Sequence, residues 1–200
     1  MNYYKTVLLG QTAVGKTSFV TRLVRGNFRD FMEPTIGAAY STYKMDINGK
    51  IYGFEIWDTA GQERYKALAP MYYKKSNIAI IVYSITCSDS FKVALNWVKE
   101  IISQNDTKTI IVLIGNKSDL DHNRKITYED AYNSAMNISS DILFYESSVK
   151  DNRNIADIFQ KIVTLLPNTS PEGSEILLNT TSDTPRINLI YNEKNRNTCC

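Results

Sequence analysis

The stretch that decides the fold runs from position 10 to position 17 and reads Gly10-Gln11-Thr12-Ala13-Val14-Gly15-Lys16-Thr17. It follows the apolar run Val7-Leu8-Leu9 and leads into Ser18-Phe19-Val20, which predicts a strand, a glycine-rich turn and a helix. Successive N–H groups of such a turn can point into one concavity, and the helix beginning near Lys16 adds the positive end of its dipole. Because both features favour an anion, the stretch predicts a phosphate-binding loop.

Lys16 and Thr17 give this loop its chemistry. The ammonium group can reach the outer phosphates of a nucleotide, and the hydroxyl can ligate Mg²⁺, so the motif predicts a Mg²⁺-bound nucleoside di- or triphosphate. It leaves the base unspecified. A glycine-rich turn that binds nothing is the alternative, and the strand before and helix after the turn argue against it. The positions expected around the phosphates are Thr12, Ala13, Val14, Gly15, Lys16, Thr17 and Ser18.

Length and composition limit the class of protein. The chain has 200 residues, of which 43% are hydrophobic, enough for one well-buried core. Lys and Arg total 23 against 21 Asp and Glu, so there is no basic field for nonspecific nucleic-acid binding. The longest apolar stretches, 78–83 and 110–114, are too short to span a membrane, and the N-terminus lacks a signal-peptide pattern. We expect a single soluble, cytosolic domain.

Strand-like and helix-like segments alternate from about residue 3 to residue 166. Apolar or alternating runs predict six strands, at 5–9, 38–47, 51–58, 78–84, 109–115 and 142–145. Asn48-Gly49 is a strong hairpin signal between the second and third, so one antiparallel strand is expected in a mostly parallel sheet. About five helices should flank the sheet in a doubly wound α/β domain spanning residues 1–166. Two carry core-facing stripes: Phe91, Ala94, Leu95, Val98 and Ile102, and Ile155, Ile158, Phe159, Ile162, Val163 and Leu166.

Ligands of a doubly wound sheet bind beyond the carboxyl ends of its strands. The phosphate loop follows the first predicted strand. Three further polar segments follow the third, fifth and sixth strands, and they read Asp58-Thr59-Ala60-Gly61-Gln62, Asn116-Lys117-Ser118-Asp119 and Ser147-Ser148-Val149-Lys150. All four segments are therefore expected at one edge of the sheet.

The segment after the third strand has the residues needed at a γ-phosphate. Asp58 is placed to bind Mg²⁺ through a water, Gly61 leaves its N–H free to approach the γ-phosphate, and Gln62 could orient the attacking water. Alone, Asp58 could equally be a helix N-cap or turn residue. Its Asp-Thr-Ala-Gly-Gln context favours the magnesium role.

The segment after the fifth strand specifies the base. The carboxylate of Asp119 can accept hydrogen bonds from guanine N1 and N2, and adenine lacks both of these donors. With Asn116 and Lys117 beside it, Asp119 predicts a guanine nucleotide, GTP or GDP.

From Lys5 to Leu166 these residues resemble the small GTPase superfamily. The resemblance narrows to the Rab vesicle-trafficking family through three stretches, Trp57-Asp58-Thr59-Ala60-Gly61-Gln62-Glu63-Arg64-Tyr65, Tyr72-Tyr73-Lys74 and Tyr83-Ser84-Ile85-Thr86. Within that family, two stretches look most like the early-endosomal branch, Pro34-Thr35-Ile36-Gly37-Ala38-Ala39-Tyr40 and Leu68-Ala69-Pro70-Met71-Tyr72-Tyr73. The resemblance implies a single P-loop G domain that hydrolyses GTP slowly without an activating protein.

The resemblance also implies roles for individual residues. Thr35 would ligate Mg²⁺ and sense the γ-phosphate, so that residues 29–40 order with GTP, and residues 61–71 would form a second switch. Phe28 would flank the guanine ring, although a core aromatic at a helix end is the alternative. Ser148, Val149 and Lys150 would complete the base site.

Several positions depart from the family pattern, among them Lys75-Ser76, which replaces a common glycine-alanine pair. Thr12 stands where the growth-signalling branch has glycine, and its side chain could crowd the γ-phosphate and the water held by Gln62. We therefore expect slow intrinsic hydrolysis. Val149 replaces the usual alanine, which is tolerable if only its backbone N–H touches the base.

Strand alternation locates a partner surface. Phe54 and Ile56 share one face of their strand, so Trp57 lies on the other. In the hairpin partner of that strand, Tyr40 shares its face with polar residues of its own strand, namely Thr42, Lys44 and Asp46. An aromatic covered by its own helix is the alternative for Trp57. The resemblance implies that effectors read a patch made by Tyr40, Trp57 and Tyr72.

Residues 167–200 are predominantly polar and are predicted to form a flexible, disordered tail. Its terminal Cys199-Cys200 resembles the double-cysteine ending of Rab proteins, in which both thiols receive geranylgeranyl groups that anchor the protein durably. Two exposed, unmodified thiols are the alternative. The implied partners are an exchange factor, an activating protein, an escort protein, a lipid-hiding carrier and GTP-dependent effectors.

The leading hypothesis is a monomeric GTP-dependent switch in vesicle docking or fusion, on the cytosolic face of early endosomes, with a soluble cytosolic pool. A Rab of another compartment is one alternative. A module that holds GTP with negligible turnover is another, supported by Thr12 and opposed by Gln62. A nucleotide kinase would need an acceptor site and an arginine-bearing lid, and neither is visible in the sequence.

Overall fold

A six-stranded sheet organises the chain in the computed structural model, which describes residues 2–104 and 108–166. The strands are β1 (Asn2–Leu9), β2 (Ala38–Ile47), β3 (Lys50–Thr59), β4 (Ile78–Ser84), β5 (Ile110–Asn116) and β6 (Leu143–Glu146). They lie in the order β2-β3-β1-β4-β5-β6, and only the β2–β3 pair is antiparallel. The mostly parallel α/β fold predicted from the sequence is confirmed.

A tight hairpin produces the antiparallel pair. Asn48 and Gly49 have φ angles of 53° and 78°, and Ile47 pairs with Lys50 across the turn. Positive φ at both central residues matches the twist of the two strands, which is why an Asn-Gly sequence specifies this turn. The hairpin places β2 at one edge of the sheet, beside β3.

In the described part of the chain, five α-helices cover the two faces of the sheet, and they are α1 (Lys16–Arg25), α2 (Ala69–Tyr73), α3 (Ser88–Gln104), α4 (Tyr128–Met136) and α5 (Ile155–Leu165). Two 3₁₀ helices, Glu63–Leu68 and Ser118–Asn123, lie in the connections that follow β3 and β5.

The core forms two layers, one on each face of the sheet. Alternate residues of the central strands point to opposite faces: Ile80 of β4 packs in the layer with α1 and α5, and Ile81 packs in the layer with α3 and α4. Every residue of β4 is buried. This burial on both faces explains why β4 reads as a continuous apolar run.

The structure changes some details of the predicted elements. β2 and β4 have the predicted bounds, whereas β1 begins three residues earlier, at Asn2, and β6 is displaced by one residue. The α5 stripe is buried as predicted. In α3, however, Ile102 is 46% exposed and Ile101 is buried, so the inclusion of Ile102 in the core stripe was wrong. Trp97 and Ile101 fill the stripe instead, because the helix presents a slightly rotated face to β4.

The predicted tail, residues 167–200, and its terminal cysteines lie outside the described residues. Within the described ranges, no helix is both long enough and apolar enough to cross a membrane.

Candidate nucleotide-binding site

A cavity of about 470 Å³ opens at the edge of the sheet where the strands end, a volume within the range of small-molecule sites. All four predicted segments contribute to this region. The predicted residues that line it are Thr12, Ala13, Gly15, Lys16, Thr17, Ser18, Phe28, Thr35, Gly61, Gln62, Asn116, Lys117, Asp119, Val149 and Lys150. Val14, Asp58 and Ser148 lie behind this lining and contact its members.

The phosphate loop is shaped by residues with positive φ. Gly15, immediately before α1, has a φ of 101°, and a Cβ there would overlap the side-chain amide of Asn116. Lys16 opens the helix, and its ammonium group donates to the carbonyl oxygens of Gly10 at 2.8 Å and Gln11 at 2.9 Å. Burial lowers the pKa of Lys16 to about 8, and the nearby Asp58 carboxylate opposes that shift. The ammonium group is thereby held across the loop, beside the space for an anion.

Three oxygen-bearing side chains meet at one corner of the cavity. The hydroxyl oxygens of Thr17 and Thr35 are 2.7 Å apart, and the Thr35 hydroxyl donates a long hydrogen bond of 3.4 Å to Oδ2 of Asp58. Oδ1 of Asp58 is buried without a hydrogen-bond partner among the described residues. Hydroxyl and carboxylate oxygens are the ligands that Mg²⁺ prefers, so this donor set fits the ion.

Burial raises the pKa of Asp58, while hydrogen bonding to Thr17, the charge of Lys16 and the hydrogen bond from Thr35 act in the opposite direction. Asp58 is only 2% exposed, at the end of β3. A buried carboxylate with an unpartnered oxygen is costly unless a cation or a donor completes it. The site therefore favours a positive charge at this corner.

Gly61 brings the segment after β3 against the phosphate loop. A Cβ at Gly61 would come within 2.5 Å of the backbone nitrogen of Thr12 and of Nζ of Lys16. Only glycine allows this approach. Gln62 follows at the cavity wall, where its carbonyl oxygen accepts from the backbone N–H of Tyr65 at 3.0 Å.

Asn116 joins the phosphate loop to the opposite end of the cavity. Its Nδ2 donates to the carbonyl oxygen of Val14 at 2.8 Å. Its Oδ1 accepts from the backbone N–H of Val149 at 3.3 Å and from the hydroxyl of Ser147 at 3.4 Å. One buried side chain thus fixes two segments that are more than 130 residues apart in the sequence.

Asp119 and Ser148 pair at the end predicted to hold the base. The Ser148 hydroxyl donates to Oδ1 of Asp119 at 2.7 Å, which orients the carboxylate. Val149 is 3% exposed and belongs to the core layer of α1 and α5, so a valine in place of the usual alanine fills more of that core. Phe28 is half-buried against the same core layer and also lines the cavity. The two interpretations of Phe28, core aromatic and cavity wall, therefore both describe its position.

The three predicted effector aromatics form a continuous patch. Ring centroids are 5.2 Å apart for Tyr40 and Trp57 and 5.5 Å apart for Trp57 and Tyr72. Tyr40 is 51% exposed, whereas Trp57 and Tyr72 are half-buried and pack against the core layer of α3 and α4. Met71, beside Tyr72, is 72% exposed. The patch therefore has both a rigid base and an accessible apolar surface.

Several residues at this edge were missed by the sequence predictions. Thr59 and Leu120 also line the cavity. Arg124 forms a two-pronged ion pair with Glu146, at 2.6 and 2.8 Å, that joins the end of the Ser118–Asn123 helix to β6. No local sequence pattern marks these residues, because their partners lie on other elements.

A comparison with known protein families agrees with this geometry. The model of the Ras family matches residues 5–168, which includes every segment that lines the cavity. Such a domain is a guanine-nucleotide switch that hydrolyses GTP and typically binds Mg²⁺ with its nucleotide. A match over more than four-fifths of the chain shows that this protein belongs to the Ras family.

Proposed function

We propose that this protein is a Rab-type switch that recruits effectors to membranes when GTP is bound, and that it acts in vesicle docking or fusion at early endosomes. The observation that carries the proposal is the continuous aromatic patch of Tyr40 on β2, Trp57 on β3 and Tyr72 on α2, in which Trp57 directly precedes Asp58 of the candidate site. The Rab-like stretches around Trp57 and Tyr72 support the same assignment.

The nucleotide would lie with its phosphates at the α1 end of the cavity and its base at the β5–β6 end. Backbone N–H groups of the loop and the Lys16 ammonium group would hold the phosphates, with Ala13, Val14, Gly15, Thr17 and Ser18 completing the loop. The carboxylate of Asp119, oriented by Ser148, would accept from guanine N1 and N2. Phe28, Asn116, Lys117, Val149 and Lys150 would enclose the base.

Thr17 and Thr35 would hold Mg²⁺ directly, and Asp58 would hold it through a water. Bound there, the ion would neutralise charge on the outer phosphates. Gln62 would orient the attacking water, with Gly61 offering its N–H to the γ-phosphate. Thr12 lies beside Gly61 at the phosphate loop, and we expect its side chain to slow intrinsic hydrolysis.

The contacts around β2 and β3 supply a route from nucleotide to patch. The backbone N–H of Ala60 donates to the carbonyl oxygen of Gly37 at 2.8 Å, which joins the first predicted switch segment to the residue directly before the second. Tyr40 pairs with Trp57 across the β2–β3 ladder, one residue from Asp58. A γ-phosphate that orders Thr35 and Gly61 would therefore also fix the geometry of the aromatic patch.

Membrane attachment would come from geranylgeranyl groups on Cys199 and Cys200, beyond the described residues. Two lipid chains give stable anchoring where one gives marginal binding. Regulation would then need an exchange factor, an activating protein, an escort protein and a lipid-hiding carrier. The protein would act as a monomer on the cytosolic face, with a soluble cytosolic pool.

The proposal is tested by the position of tagged full-length protein in cells of its source. The wild type, a Gln62→Leu variant and a Cys199→Ser/Cys200→Ser variant are compared against markers of early endosomes and of other compartments. We expect Gln62→Leu to concentrate on early endosomes and the double serine variant to be diffuse. Gln62→Leu on another compartment would assign a different Rab branch, and membrane association of the double serine variant would contradict lipid anchoring.

A module that holds GTP with negligible turnover is the second candidate, and the presence of Thr12 in the cavity lining beside Gly61 and Gln62 favours it. Single-turnover hydrolysis, measured with and without an activating protein, separates the two. Acceleration would support the switch, and no acceleration would support the module.

A further inference from the structure

Arg22 fastens the segment that follows β6 to the last turn of α1. Its Nε donates to the carbonyl oxygen of Val149 at 3.0 Å, and its Nη2 donates to that of Lys150 at 2.8 Å. Its Nη1 donates to the carbonyl oxygen of Gly26 at 2.9 Å, just beyond the helix. All three guanidinium nitrogens are therefore used on main-chain acceptors of two separate segments.

The same guanidinium lies over Phe28. Its central carbon is 5.9 Å from the centroid of the ring, within reach of a cation–π contact. Phe28 follows Gly26, whose backbone N–H caps α1 by donating to the carbonyl oxygen of Arg22. One side chain thus contacts the end of α1, the Phe28 ring and residues 149–150.

These contacts fix the orientation of the base segment from its outer side. The peptide bond is planar, so a carbonyl of Val149 held by Arg22 directs the N–H of Lys150 away from the guanidinium. On the inner side, Asn116 accepts from the N–H of Val149, and Ser148 bonds Asp119. The segment is therefore held between Arg22 on one side and the base-recognition residues on the other.

We propose that Arg22 is a positioning residue for the guanine base, which slows nucleotide release by holding residues 149–150 and Phe28 in place. The inference rests on the proposed assignment of those residues to the base. The first turn of α1 carries Lys16 and Thr17 at the phosphate end. One helix, α1, therefore carries the residues proposed to bind the phosphates in its first turn and the residue proposed to position the base segment in its last turn.

The test measures the dissociation rate of a fluorescent GDP from the full chain, with Mg²⁺ and after its removal by EDTA. We expect Arg22→Ala to raise the rate by about 10- to 100-fold, as for the loss of hydrogen bonds from a charged group. The ratio of the rates with and without EDTA should stay within about twofold of the wild-type ratio, since the metal corner is untouched. The GDP dissociation rate of Arg22→Lys should fall between those of the wild type and Arg22→Ala, because lysine keeps the charge and loses the planar set of guanidinium donors.

Arg25→Ala is the matched control, since it removes the same charge from the same helical turn at an exposed position. A rate for Arg22→Ala equal to that of Arg25→Ala would overturn the proposal. The proposal would also be overturned if Arg22→Ala lost most of the acceleration of GDP dissociation by EDTA. That result would show that Arg22 acts through α1 on the phosphate end. If Arg22→Ala fails to fold, a wild-type rate for Arg22→Lys would overturn it equally. Failure of the wild type to retain GDP would contradict the nucleotide site itself.

Discussion

The hydroxyl oxygens of Thr17 and Thr35 lie 2.7 Å apart, although Thr17 is in the first turn of α1 and Thr35 lies in the connection before β2. This contact brings the connection between residues 26 and 37 against the phosphate loop. Asp58 completes the corner from the end of β3, with one buried carboxylate oxygen left without a partner among the described residues. The three side chains come from α1, from the connection before β2 and from β3, so the corner exists only when these three segments pack together.

Removal of Mg²⁺ should speed GDP dissociation, and this effect should depend on Thr17 as a ligand of the ion. We expect EDTA to speed GDP dissociation from the wild type by about tenfold or more, because a metal ligand set couples the phosphates to three elements. Thr17→Ala should release GDP rapidly even with Mg²⁺, and EDTA should add little. Stopped-flow fluorescence measures both rates. Thr21→Ala, one turn further along α1, should behave as the wild type, and an undiminished EDTA response in Thr17→Ala would contradict the assignment.

Thr12 should control the rate of GTP hydrolysis. Because Thr12 lines the cavity together with Gly61 and Gln62, we expect removal of its side chain to give the γ-phosphate and the attacking water more room. Thr12→Gly should therefore hydrolyse GTP severalfold faster in single-turnover experiments, while Gln62→Leu should be slower by about tenfold or more. An unchanged rate in Thr12→Gly would show that Thr12 does not limit hydrolysis in this protein.

Trp57 should contribute to effector binding and not to nucleotide affinity. Trp57→Ala should abolish GTP-dependent capture of effectors and leave GTP affinity within a few-fold of the wild type, because its ring packs between Tyr40 and Tyr72 outside the cavity. Pull-down with GTP-loaded and GDP-loaded protein, together with nucleotide titration, measures the two effects. Tyr132→Ala, which removes an exposed aromatic of α4 outside the patch, is the control. Equal loss of capture and of GTP affinity would reassign Trp57 to the core.

The Arg124–Glu146 pair should contribute to stability. Glu146→Ala would leave the half-buried guanidinium of Arg124 with Asp121 as its remaining ionic partner, and we expect a loss of about 2 kcal/mol in the free energy of unfolding. Asp89→Ala breaks the exposed pair with Lys92 and should cost less than about 0.5 kcal/mol. Urea unfolding of the GDP-loaded protein gives both values. Similar losses of unfolding free energy in the two variants would show that the Arg124–Glu146 pair stabilises the protein no more than the exposed Lys92–Asp89 pair does.

Much of the fold could be predicted because its signals are local. The β2–β3 hairpin follows from Asn48-Gly49, and β4 follows from an uninterrupted apolar run; the predicted bounds of β2 and β4 were correct, and β3 is one residue longer at each end than predicted. The position of the site also followed from the sequence, since the carboxyl ends of parallel strands share one edge. The error at Ile102 arose because helical periodicity gives the width of an apolar face more reliably than its rotation, and contact with β4 selected Ile101 instead.

The sequence by itself determined which chemical groups stand at the ends of which strands, because that depends on residues within a few positions of one another. Only the tertiary structure decided how those groups are held. The contacts of Arg22 with residues 149–150, of Arg124 with Glu146 and of Thr17 with Thr35 all join elements distant in the chain. A hydrogen bond needs its two atoms within about 3 Å and in alignment, and packing between elements sets that geometry.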